Sequence, residues 1–170
     1  MEAMHAAGVG LPGDEIIARL TAEVTADLQQ QISWRPGARE LVAEFADLGV
    51  PQAIVATSPR NMAATVASRL PEGAILQLVA GEDVDAGNPA PDPHLRAARL
   101  CGADPRQCLA VEDSPTALTA AVAAGTLALA VPHDAPIPEG DLWAVLPSLE
   151  GVGARELMAL VASRSAGPRS

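Results

Sequence analysis

Cys108-Leu-Ala-Val-Glu-Asp-Ser-Pro-Thr-Ala-Leu-Thr-Ala-Ala-Val-Ala-Ala-Gly125 is the stretch whose reading decides the fold. Cys108 to Val111 is a short apolar run, the pattern of a buried strand, and it stops abruptly at two carboxylates, Glu112 and Asp113. Ser114-Pro115 reads as an N-cap followed by proline at the first helical position. An alanine-rich helix follows, and Gly125 suits its C′ position. The unit therefore delivers two acids to the carboxyl end of a strand, where open α/β sheets bind ligands. An isolated Glu-Asp pair would read only as a solvated strand end.

On both sides the chain alternates between helical and extended patterns. From Asp14 to about Gln30, apolar residues recur at Ile17, Leu20, Val24 and Leu28, the face of an amphipathic helix. Ser33-Trp34-Arg35 is a link. Pro36 and Gly37 open a second helix with Leu41, Val42, Phe45 and Leu48 on one face and Gly49 as its stop. Gln52 to Ala56 reads as a strand ended by Thr57-Ser58, and Pro59 starts a helix carrying Met62, Val66 and Leu70. Ile75 to Ala80 is a further strand, and residues 81–91 form a loop rich in Gly, Pro and acids.

Asp92-Pro93 reads as another cap and proline, with a helix to about Cys101. Leu127 to Val131 is a last strand, followed by a Pro-rich loop. Residues 141–149 are ambiguous, Ala154 to Ala162 is a terminal helix, and the tail from Ser163 is expected to be disordered. The alternation predicts an α/β fold, a parallel sheet with helices on both faces.

Composition narrows the function. The net charge is −10 and all 11 basic residues are arginine. Such a chain is poorly suited to nucleic-acid backbones or anionic membrane surfaces, while a local site can still take a small phosphorylated molecule. Cys101 and Cys108 lack metal-ligand spacing and read as small buried hydrophobes. His5, His94 and His133 show no ligand spacing either, and His94, in the first turn of a helix, is expected at the surface. Trp34 and Trp143 read as packing anchors. There is no signal peptide and no apolar stretch long enough for a bilayer, so a soluble cytoplasmic protein is expected.

Four pieces, Arg35-Pro-Gly-Ala38, Ala53-Ile-Val-Ala-Thr-Ser-Pro-Arg60, Gly87-Asn-Pro-Ala-Pro-Asp-Pro93 and Val111-Glu-Asp-Ser114, occur in this order. Together they resemble the haloacid dehalogenase (HAD) superfamily, in its phosphoglycolate phosphatase and β-phosphoglucomutase branch, over roughly residues 32–132. The resemblance implies a three-layer Rossmann-like core and phosphoryl transfer through an aspartyl-phosphate with Mg²⁺. Such transfer demands positioning and charge neutralisation above all, and Mg²⁺ is content with a few carboxylates and several waters. By resemblance Glu112 and Asp113 would hold the metal. Thr57, the Ser58 amide and Arg60 would bind the phosphate, and Thr57, Asn88 and Asp113 would be the catalytic positions. The partner would be a small phosphorylated metabolite.

The chain also departs from the family. The nucleophile of the family lies in an Asp-x-Asp motif after a first strand, and no such strand occurs before Asp14. Asp83-Val-Asp85 is the only Asp-x-Asp, and it sits in a loop where relatives carry acids without a catalytic role. The motif lysine before Pro-Ala-Pro is Asn88 here, and Ala117 stands where relatives usually have glycine.

In the family the first strand lies between the strand carrying the threonine and the strand carrying the Glu-Asp pair. Its absence would leave Gln52–Ala56 and Cys108–Val111 without a shared neighbour and with unpaired backbone groups. Residues 1–31 then read as a remnant of the family's helical cap, 32–163 as the core and 164–170 as a disordered tail.

Three readings remain open. One is an N-terminally incomplete phosphatase whose nucleophile is encoded upstream of Met1. Another is a non-catalytic binding or interaction module, whose broken strands pair with each other or with a second copy in a homodimer. The third, an unrelated nucleotide-binding domain, is disfavoured because no glycine-rich phosphate loop is present.

Overall fold

A computed structural model describes residues 12–133, 136–138 and 141–165. The expectations for residues 1–11 and for the tail beyond Ser165 lie outside these. The chain begins with helix α1 (Gly13–Gln30) and helix α2 (Ala38–Asp47). Strand β1 (Ala53–Val55), helix α3 (Arg60–Ala67), strand β2 (Gln77–Val79) and helix α4 (Asp92–Leu100) follow. Strand β3 (Leu109–Glu112), helix α5 (Pro115–Ala123), strands β4 (Leu127–Ala130) and β5 (Trp143–Val145), and helix α6 (Ala154–Ser165) complete the chain. All strand pairs are parallel; β1 and β2 are joined through α3, and β3 and β4 through α5, as parallel neighbours require a crossover.

The sheet is divided. Strands β1 and β2 form one sheet, and β3, β4 and β5 form another in that order. Among the described residues β1 and β3 therefore share no neighbouring strand and do not pair with each other. This is the division that the resemblance leads the sequence reading to expect between these two strands. Helix α4 packs on both β1 and β2 and also on α5, which covers β3 and β4, so these two helices join the halves.

Two small cores flank the β3–β5 sheet. Along β4 the side chains alternate faces, as a strand requires. Leu129 joins Leu41, Leu149 and Leu157 on the side of α2 and α6. Ala128 and Ala130 join Leu118, Ala121 and Ile137 on the side of α5. Small alanines let α5 approach closely, which is how a chain with 2% aromatic residues still fills its interior. The helix ends are tied across the fold: Glu44 Oε2 accepts the Ala154 amide at 2.8 Å, capping α6 from α2. Arg35 Nη2 donates to the Pro132 carbonyl at 2.6 Å.

Several expectations are corrected. Helix α1 exists, but Ile17, Leu20 and Val24 are exposed. Its packed side carries buried Ile16 with half-buried Thr21, Thr25 and Leu28, and it lies against α3. Two apolar stripes run along this helix, and the position of α3 decides which is used. Asp92 does not cap α4; it is the first helical residue, the N-cap position is Pro91, and no side chain caps the helix. Residues 143–145 of the ambiguous stretch are a strand, paired to β4. Helix α6 continues through Ser163 to Ser165. Cys101 and Cys108 are free and only half-buried, and Trp143 packs at the edge of the α5-side core with its Nε1 donating to the Pro138 carbonyl at 3.1 Å. Among the described residues no helix is long and apolar enough to cross a membrane.

Candidate active site

The site is assembled at the carboxyl ends of β1 and β3. Strand β1 ends at Val55 and the chain turns through Ala56, Thr57 and Ser58 into α3. The ends of β1 and β2 are laced together, with Ala56 N–H donating to the Val79 carbonyl at 2.9 Å and Gly81 N–H to the Ser58 carbonyl at 3.3 Å. The approach is close enough that a Cβ on Gly81 would lie 2.6 Å from the Thr57 carbonyl oxygen. Only glycine fits there.

A cavity of about 190 Å³ opens at this place, lined by Ala56, Thr57, Gly81, Gly87, Asn88 and Pro93 among others. The fold thus brings Thr57 and Asn88 together. Asn88 Oδ1 is buried and has no hydrogen-bond partner, an uncommon state for a buried polar atom and one that calls for an explanation.

Arg60 lies at the start of α3, but its guanidinium pairs with Asp83 and its backbone N–H donates to Glu82 Oε1 at 2.9 Å. Asp83 also accepts the Ala80 amide at 2.7 Å. The Arg60 hydrogen bond, and then that amide, hold the Asp83 carboxyl below its usual range. Asp83 of the Asp-x-Asp pair is thus a brace between two loops. The Arg60 side chain reaches a phosphate only by leaving it.

Glu112 and Asp113 lie outside the cavity lining, at the end of β3 in the other sheet. Ser114 caps α5 as its sequence suggests, accepting the Ala117 amide at 3.3 Å. That cap fixes where the strand stops and so where the two acids stand. Glu112 is largely buried and Asp113 exposed. Burial first, and then the Asp113 charge, push the Glu112 carboxyl up from 4.5 to about 7.

His94 links the two clusters. It follows Pro93 of the cavity wall, and it is only 5% exposed, contrary to the surface position its sequence context suggests. Pro93, His94, Ala97 and Ala98 are the buried residues of α4. That helical spacing was the available signal that His94 faces inward. Its Nε2 lies 3.4 Å from Glu112 Oε1.

Among the described residues no group of three or more His, Cys, Asp and Glu side chains is placed to hold a metal ion. Two carboxylates nevertheless fit Mg²⁺, which binds through one or two carboxylates, waters and substrate phosphate. The repulsion felt by Glu112 from Asp113 is what a divalent cation would relieve.

The comparisons with known proteins agree with this architecture. Residues 4–125 match the family model of haloacid dehalogenase-like hydrolases. Hexitol phosphatase A of Escherichia coli is 38% identical over 122 residues, spanning 69% of this chain and 55% of that protein. Protein CbbY of Rhodobacter capsulatus is 37% identical over 108 residues, spanning 61% of this chain and 48% of that protein. The chain thus spans about half the length of these curated relatives. The crystal structure of CbbY from Rhodobacter sphaeroides in complex with phosphate superposes with a TM-score of 0.74 at 25% identity, over 85% of this chain and 68% of that one. A β-phosphoglucomutase from Clostridium difficile shares the fold, with a TM-score of 0.71 at 12% identity. The family model covers well over half of the chain, and with its parallel strands the chain belongs to the haloacid dehalogenase-like hydrolases.

Proposed function

We propose that this chain carries the phosphate-holding and metal-holding parts of a HAD phosphatase or phosphomutase for a small phosphorylated metabolite. Transfer then waits on a nucleophilic carboxylate that the described residues do not present. The observation that carries this reading is the convergence of Thr57 and Asn88 on one cavity. The acids of β3 stand at the end of the other sheet's edge strand.

In this reading the Thr57 hydroxyl and the Ser58 N–H donate to phosphate oxygens, a role suited to amides at a helix start. Asn88 orients the phosphate by hydrogen bonding, where relatives would add a lysine charge. Glu112 and Asp113 hold Mg²⁺, which when bound would neutralise charge on the phosphoryl oxygens. Nothing in this set forms a covalent bond to phosphorus, so the chain by itself binds without steady turnover.

The division between β1 and β3 supports the same reading, since among the described residues each pairs with a strand on one side only, leaving an edge to which a strand can add. A second reading, a non-catalytic binding module, is favoured by Asn88, because losing the lysine weakens catalysis independently of the nucleophile.

Titration of the protein with inorganic phosphate in the presence of Mg²⁺ tests the proposal. Saturable binding that is lost in both Thr57→Val and Asp113→Asn is expected. Binding indifferent to both substitutions would overturn it.

A further inference from the structure

We propose that β1, α3 and β2, with α1 packed on α3, form a unit that opens without the rest of the fold unfolding, so that the phosphate cavity exists only while this unit is closed.

The two sides of the divided sheet are built unequally. Both hydrophobic clusters flank β3–β5, and they bury Leu41, Leu118, Leu129, Ile137, Leu149 and Leu157. Among the described residues the unit buries only Ile16, Val79, Ala63, Ala74 and Ala80, and α4, on which it rests, buries Pro93, His94, Ala97 and Ala98. Stabilisation by burial scales with the apolar area removed from water, and alanine offers little. The sheet of the unit is one pair of three-residue strands. Two strands are marginal without further packing, and here that packing is mostly alanine.

The joints allow the motion. Residues 31–37, 48–52 and 80–91 connect the unit to the rest, and apart from the single turn Gly81–Asp83 they lie outside helices and strands. Gln52 Nε2 donates to the Val42 carbonyl of α2 at 2.9 Å and to the Ala74 carbonyl at 3.1 Å, a polar tether rather than a packed core. Within the unit the Arg69 guanidinium donates to the Gln29 carbonyl and ties α1 to the chain after α3. The cavity straddles the boundary, with Thr57 and Gly81 on the side of the unit and Asn88 and Pro93 at the start of α4. Opening therefore takes the cavity apart, and a ligand spanning Thr57 and Asn88 holds the unit shut by mass action.

Native-state hydrogen exchange on the full chain tests this amide by amide. Comparable ladder bonds occur on both sides. Ala56 N–H donates to the Val79 carbonyl at 2.9 Å and Leu76 N–H to the Gln52 carbonyl at 2.8 Å, while Val131 N–H donates to the Glu112 carbonyl at 2.8 Å and Leu146 N–H to the Ala130 carbonyl at 2.9 Å. Corrected for intrinsic rates, Ala56 and Leu76 should exchange at least about 100-fold faster than Val131 and Leu146, with one shared and smaller dependence on urea. Leu129→Ala weakens only the β3–β5 core. It should speed Val131 and Leu146 by about 30-fold or more and leave Ala56 and Leu76 within about threefold of wild type. Equal protection and equal urea dependence at all four amides of the wild-type chain would overturn the inference, as would acceleration of all four by Leu129→Ala.

The link to the cavity rests on the phosphate reading above, and inorganic phosphate with Mg²⁺ is its probe. At about 100 times the Kd measured by calorimetry, phosphate should slow Ala56 and Leu76 about 100-fold. Phosphate that binds without slowing them would overturn the requirement for a closed unit. Phosphate that does not bind would overturn the reading of the site, while the four amides still decide whether the unit opens.

Discussion

His94 Nε2 and Glu112 Oε1 meet at 3.4 Å although they belong to opposite halves of a divided sheet. The contact joins α4, which packs on β1 and β2, to the end of β3.

The pair makes stability depend on pH in a calculable direction. Burial, and then Asp113, raise the Glu112 carboxyl from 4.5 to about 7. In that window the folded chain holds a proton that the unfolded chain has lost, so this contribution falls as pH rises and stays low above the window. His94 acts oppositely. Its burial, partly offset by the Ala117 hydrogen bond, holds the imidazole below 6.5, so its contribution rises as pH climbs to that value. Glu112→Gln removes the first effect only. Urea unfolding at pH 5 and pH 8 should show a gain over wild type that grows with pH. The growth should be on the order of 2–3 kcal/mol, since each tenfold change in proton affinity is worth about 1.4 kcal/mol. An equal difference at both pH values would mean that burial does not govern this carboxyl.

Leu129, at the centre of β4, is 1% exposed and packs against Leu41, Leu149 and Leu157. Leu129→Ala should lower unfolding free energy by about 2–5 kcal/mol, measurable by denaturant titration. A loss below about 1 kcal/mol would mean that this core collapses around the deletion.

Gly81→Ala places a methyl 2.6 Å from the Thr57 carbonyl oxygen, which is backbone and has little freedom to move. The variant should lose about 1–3 kcal/mol of stability together with phosphate binding, because the Thr57 turn must shift. Phosphate affinity retained at the wild-type level would separate Thr57 from the phosphate.

Arg60 offers a clean distinction, since its guanidinium is engaged by Asp83. Arg60→Ala should change phosphate affinity by less than about twofold, as expected for an exposed charge occupied elsewhere. Asp83→Asn, which releases the guanidinium, is the companion variant. If Arg60→Ala abolishes binding, the arginine leaves its partner for the phosphate.

Much of the fold was legible because strong local signals agreed with one another. Ser114-Pro115 and Gly125 bounded α5 correctly, with Ser114 capping and Gly125 at φ 82°. The divided sheet was legible from a motif that the sequence does not contain. Other features depended on partners distant in the chain. Ile16 and Ile17 are adjacent and equally apolar, so only contact with α3 decides which is buried. Strand β5 has three residues, and its identity comes from pairing Trp143 with Ala128. The burial of His94 follows the spacing of Pro93, Ala97 and Ala98, but its partner Glu112 becomes visible only once α4 and β3 are brought together.

The measurement that tests the account most directly is a phosphate-release time course. The purified 170-residue chain is incubated with Mg²⁺ and a small phosphate monoester, with Asp113→Asn as the control. The account predicts release no faster than the control, because in the proposed site the described residues offer contacts to phosphate and metal but no attacking carboxylate. Steady, Mg²⁺-dependent release that disappears in Asp113→Asn would contradict it, and would show that a nucleophile is already in place.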